Sequence, residues 1–99
     1  VTAGFAMPQD LSLAAVRKLY ADFYRDQAFI TVVQNEELPK MLGSNTLAGK
    51  DSLRIYVCGN EDRFTVSAQF DNLGKGASGA AIENMNIAMG LDPATGLEL

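Results

Sequence analysis

Apolar and polar residues alternate most regularly between residues 52 and 70. Leu53, Ile55 and Val57 fall on one side of an extended chain, with Arg54, Tyr56 and Cys58 on the other. After the turn-forming run Gly59-Asn60-Glu61-Asp62, Phe64, Val66, Ala68 and Phe70 alternate in the same way with Arg63, Thr65, Ser67 and Gln69. A period of two on both sides of a turn predicts a β-hairpin with one apolar face. Upstream the period changes to that of a helix. Leu13, Val16, Tyr20 and Phe23 recur on one face, and Arg17, Lys18, Asp22, Arg25 and Asp26 fill the opposite one. The spacing predicts an amphipathic helix over about 12–26 with Ser12 as its N-cap. Lys18 and Asp22 are four residues apart and placed to pair.

Residues 1–7 and 29–33 are β-branched and apolar and read as strands. The polar stretch 34–50, with Pro39, Gly43, Ser44, Asn45 and Gly49, reads as a loop. It is long for a compact domain, and such loops carry function or pack on a partner. A last helix is predicted over about 77–89, small residues in its first half and Ile82, Met85 and Met89 in its second. Gly90 stands where a C′ glycine belongs, and residues 92–96 read as a loose tail. The expected fold class is α+β: part of a mostly antiparallel or mixed sheet with one covering helix, and a C-terminal helix meant to dock elsewhere. Opening in an apolar strand with no initiating Met, the chain reads as a piece of something longer.

Charge and composition narrow the chemistry. Eight Lys+Arg against twelve Asp+Glu give a net charge of −4, the wrong sign for a nucleic-acid footprint or an anionic membrane surface. No apolar run approaches the length of a membrane span. With no His and one Cys, these residues cannot assemble a Ser-His-Asp or Cys-His pair, a His- or multi-Cys metal site, or an intrachain disulfide.

Gly74, Gly76 and Gly79 spell the dinucleotide fingerprint at the mouth of a helix. A Rossmann site also needs a following parallel strand and an acidic residue about 20 positions on. The sequence offers no further strand after that helix, and Lys75 is followed by Gly76 rather than the Ser or Thr of a P-loop. The segment is therefore read as built for close approach, by an anion, a ligand or another element. Lys75 is read as meeting either an anionic ligand or solvent, Cys58 as an inert, semi-buried thiol, and Glu83 as a surface carboxylate.

Asp71-Asn72-Leu73-Gly74-Lys75-Gly76-Ala77-Ser78-Gly79-Ala80-Ala81, followed by Glu83-Asn84-Met85-Asn86, resembles the C-terminal end of the N-acetyl-gamma-glutamyl-phosphate reductase family. The family's run reads approximately Asp-Asn-Leu-x-Lys-Gly-Ala-x-Gly-x-Ala-x-Gln-Asn-Met-Asn, and this chain departs from it with Glu83 where Gln is usual. Leu19-Tyr20 and Phe23-Tyr24 on the first helix, a strand at Phe29, a Gly43-Ser44-Asn45 loop and the hairpin follow the same order.

The resemblance implies a two-domain, NADPH-dependent enzyme of arginine biosynthesis. It would reduce N-acetyl-glutamyl phosphate to the semialdehyde through a Cys thiolate and a His acid/base. Cys58 does not match the family's nucleophile motif and no His is present, so no catalytic residue and no metal ligand is assigned here. The resemblance places residues 1–70 in the catalytic and dimerisation sheet domain. It places residues 71–99 as a glycine-rich turn, helix and tail packed on a Rossmann domain. Asn72 is expected beside the nicotinamide carboxamide, with Gly74 and Gly76 allowing close backbone passage to NADP. Expected partners are the N-terminal Rossmann part, a second copy through the sheet domain and a small-molecule substrate, with neither nucleic acid nor membrane. The expected location is the cytoplasm, or an organelle in a eukaryote. Two other readings stand beside this one: a sister reductase acting on aspartyl or aminoadipyl phosphate, and a free-standing dimerisation or interaction module.

Overall fold

A computed structural model describes residues 1–34 and 38–99. Strand β1 (Thr2–Ala6) is followed by helix α1 (Leu13–Phe23), β2 (Ile30–Val32), β3 (Leu53–Gly59), β4 (Arg63–Phe70), a π-helical turn (Gly74–Ser78) and helix α2 (Gly79–Ala88). The four strands form one sheet in the order β1-β4-β3-β2. β4 pairs antiparallel with both β1 and β3, whereas β2 lies parallel to β3. The α+β class and the mixed sheet are as expected. Parallel neighbours need a crossover rather than a tight turn, and this accounts for the long connection between β2 and β3. Of that predicted loop, residues 35–37 lie outside the described residues. The rest carries turns rather than helix or strand and buries Leu47.

The hairpin has the register and faces its alternation predicts. Leu53, Ile55 and Val57 pair with Phe70, Ala68 and Val66, and Arg54, Tyr56 and Cys58 with Gln69, Ser67 and Thr65. Asn60 closes the turn by accepting the backbone N–H groups of Asp62 and Arg63 at 2.9 and 3.0 Å. Val16 from α1 packs on Ile55 and Val57, with Leu13, Tyr20 and Phe64 around them. The covering helix thus buries one side of β3, leaves that strand's polar side to the 39–46 loop, and does not cover β1, which is exposed throughout.

Four expectations need correction. Helix α1 ends at Phe23 rather than near residue 26, and the Tyr24 N–H closes it by bonding Tyr20 O at 3.1 Å. Arg17 is not on a solvated face: it is buried, and its guanidinium donates to Val57 O at 2.7 Å. Ile55 O, two residues earlier on the same edge of β3, accepts Val33 N at 2.9 Å. β2 then runs out, and Arg17 satisfies the next carbonyl along. Cys58 is exposed rather than semi-buried, because its side of the sheet is not covered at that end. The tail is not loose either. Asn86, buried in α2, donates to Pro93 O and Thr95 O, both at 2.9 Å, and Asp51 Oδ2 accepts Glu98 N at 3.0 Å. Two carbonyls and one amide of the tail are thereby satisfied by groups the helix and loop supply.

Candidate functional site

β4 delivers the chain into the segment that carries every predicted site residue. At its end Asp71 gathers two loops. Asp71 Oδ2 accepts Gly49 N at 2.9 Å and Oδ1 accepts Leu73 N at 3.1 Å. These N–H groups, Gly49's first, hold the Asp71 carboxyl below its usual range. Beyond it the backbone takes the wider π pitch. Gly76 N bonds Asp71 O at 3.0 Å, Ser78 N bonds Leu73 O at 3.1 Å, and the Ser78 hydroxyl donates to the same oxygen at 2.8 Å.

The glycines of this turn are explained by their neighbours. A Cβ on Gly74 would strike the Lys50 carbonyl oxygen, and one on Gly79 would strike the Asp51 carboxylate and come within 2.8 Å of Gly74 O. A Cβ on Gly76 would lie 3.1 Å from the Phe70 ring and 3.2 Å from Asn72 Oδ1. Of the possibilities left open for close approach, Gly74 and Gly79 meet another element of the same chain, the 50–51 loop. Gly76 leaves room for the Asn72 side chain.

Asn72 is exposed and lines a cleft of about 410 Å³ with Leu42, Gly43, Ser44, Ser67 and Gln69. The Gly43-Ser44 pair and Asn72, distant in sequence, meet here. Gln69 and Ser67 were read only as the polar side of a strand, yet both reach the cleft. Period two identified their face, but only the fold of the 42–44 loop over it reveals their use. The larger concavity, about 710 Å³ and lined by Phe5, Cys58, Arg63 and Phe64 among others, lies at the opposite end of β4 and holds none of the predicted site residues.

Lys75 is largely withdrawn from bulk solvent. Its Nζ is 2.6 Å from Glu83 Oε2 and 4.7 Å from the centroid of the Phe29 ring. The two side chains are 16% and 20% exposed, so Glu83 is not a free surface carboxylate; its added charge has a cationic partner. Among the described residues no group of three or more His, Cys, Asp or Glu side chains could hold a metal ion, and no helix is long and apolar enough to cross a membrane.

No protein-family model matches the chain. Among curated proteins it is 45% identical over 83 residues to the N-acetyl-gamma-glutamyl-phosphate reductases of Brucella ovis, Brucella canis and Brucella suis. Each match covers 80% of this chain and 27% of the relative, in its C-terminal portion. The chain thus spans about a quarter of the length of the curated relatives it matches.

Proposed function

We infer that this chain, a homologue of the C-terminal portion of the N-acetyl-gamma-glutamyl-phosphate reductases, belongs to that family and forms part of a reductase of arginine biosynthesis. The observation that carries this reading is the 45% identity sustained over 80% of the chain. On this reading the reaction is reduction of an acyl phosphate to the aldehyde, with NADPH as the reductant. Bound, the nicotinamide supplies the hydride.

The described residues fit one end of such a cofactor. Asn72 offers an amide donor and a carbonyl acceptor at an open cleft, the complement of a carboxamide. It is the residue that would hold the nicotinamide. Gly76 contributes by leaving space for Asn72, and Gly74 by letting the turn lie against Lys50 O. With no His in the chain and Cys58 at the far end of β4, the covalent and acid/base steps belong to other parts of the protein. Residues 1–70 then serve as part of the catalytic and dimerisation sheet, and residues 71–99 as the surface that packs on a Rossmann part. The cytoplasm is the proposed location.

The test is intact mass of the protein carrying this chain together with an NADP-linked assay. The expected result is roughly three times the chain's 10.6 kDa, with phosphate-dependent oxidation of the N-acetylated semialdehyde. Asn72→Ala should then raise KM for NADPH roughly ten-fold, the loss of one or two hydrogen bonds of about 1 kcal/mol each. Absence of NADP-linked turnover in the whole protein would overturn the reading.

A further inference from the structure

One wall of the Asn72 cleft is the 42–44 loop, and a side chain from β4 ties that wall to the sheet. Gln69 Nε2 donates to the Gly43 carbonyl oxygen at 2.7 Å, and Gln69 Oε1 accepts the Tyr56 hydroxyl at 2.8 Å. The direction of this relay is fixed by chemistry. A carbonyl oxygen only accepts, so the carboxamide nitrogen must face Gly43, and its oxygen is left for the phenol. Tyr56 is 4% exposed and sits within β3, between β4 and β2, so the anchor is one of the most buried side chains of the sheet. The wall itself is thin. Among the described residues Leu42, Gly43 and Gln69 also line a second concavity of about 450 Å³. A partition between two hollows has little packing behind it, so directed hydrogen bonds set its place.

We propose that Gln69 is a positioning residue: the Tyr56–Gln69–Gly43 strut sets the width of the cleft that Asn72 lines and so the affinity for the nicotinamide-bearing cofactor. This rests on the reading that Asn72 takes that cofactor. Gln69 need not touch the cofactor's reacting atoms; it acts through the Gly43 carbonyl and the backbone that carries Ser44. Loss of the donor leaves Gly43 O with only the longer bond from Thr46 Oγ1, 3.4 Å away in the same loop, which does not tie that loop to the sheet.

The experiment measures NADPH dissociation by its fluorescence, steady-state kinetics and melting temperature on the whole protein that carries this chain. The variants are Gln69→Leu, Gln69→Glu, Tyr56→Phe and Asn72→Ala. Gln69→Glu keeps the size and the acceptor for Tyr56 and replaces the donor by a charged oxygen, so it carries the test even if Gln69→Leu fails to fold, while the uncharged Gln69→Leu controls for the added charge. Both Gln69 variants are expected to raise Kd and KM for NADPH roughly three- to ten-fold, the worth of one hydrogen bond, with kcat within about two-fold. Tyr56→Phe is expected to give a smaller rise in the same direction. A lowered melting temperature with unchanged Kd in Gln69→Glu would make the strut merely structural and overturn the proposal. Unchanged Kd in the Gln69 variants with a weakened Asn72→Ala overturns the strut and leaves the cofactor reading standing. Unchanged Kd in all of them overturns both.

Discussion

Asp71 shows how much of this site rests on single side chains. Its carboxylate accepts two backbone N–H groups from different loops, and both favour its charged form. A carboxyl whose folded pKa is lowered contributes stability that is fully present above its unfolded value of 3.8 and is lost as pH falls through the folded value. We therefore expect the stability of the protein, followed by urea unfolding at a series of acid pH values, to fall below about pH 4. Asp71→Asn should be less stable at neutral pH and should show a shallower fall in that window. Parallel curves for the two proteins would show that the Gly49 and Leu73 contacts carry no pH-dependent stability. None of this was legible in the sequence, where Asp71 entered only as the first letter of a motif. Arg17 was misplaced for a related reason. A charge on a helix's polar side is normally solvated, and only the early end of β2 creates the unpaired Val57 carbonyl that draws it inward.

At the scale of elements, what was legible was whatever a face encodes. The alternation fixed both sides of the hairpin, the 3.6 spacing found α1 and its Ser12 cap, accepting Ala15 N at 3.1 Å, and Gly90 marks the end of α2 with φ of 72°. What depended on non-local contacts was not legible: the parallel β2–β3 pairing, the π pitch at Gly74–Ser78 and the pinned tail. Gly79 tests the distinction. Its φ and ψ of −63° and −42° are helical, so helix propensity alone says that Gly79→Ala should stabilise by about 1 kcal/mol. The added methyl would instead meet the Asp51 carboxylate and the Gly74 carbonyl, and overpacking against backbone costs about 1–3 kcal/mol. Because Asp51 also holds Glu98, it cannot swing aside without releasing the tail. We expect a net loss of about 1–2 kcal/mol in chemical denaturation. A stabilised variant would mean that the 50–51 loop yields at little cost. Gly76→Ala, whose methyl would meet the edge of a phenyl ring, should cost less.

For the whole molecule, the decisive quantity is surface. The chain exposes 6778 Å², against about 5,500 Å² expected of a compact monomer of its mass. Its radius of gyration is 15.0 Å, where about 12.6 Å is typical of its length. Helix α2 buries only Gly79 and Asn86 and contributes no residue to the core cluster among the described residues. Leu73, Ile82, Met85, Ile87 and Met89 are all exposed, Met89 to 65%. Ile82, Met85 and Met89 belong to the C-terminal helix that the sequence marks as one meant to dock elsewhere. A second exposed cluster, Leu19 and Phe23, sits on α1, and Phe23 corrects its place on the covering face: at the helix's last residue it lies outside the core cluster. Exposed apolar surface of this kind associates in water. We predict that the 99-residue chain prepared alone self-associates, its sedimentation coefficient rising with concentration across the micromolar range. Met85→Lys with Met89→Lys should restore concentration-independent monomer, because both positions are exposed and neither change disturbs the core. Phe23→Lys separates the two patches: association that survives it but not the α2 pair locates the contact on α2. A chain that sediments as monomer at every concentration without substitution would mean that this surface needs no cover.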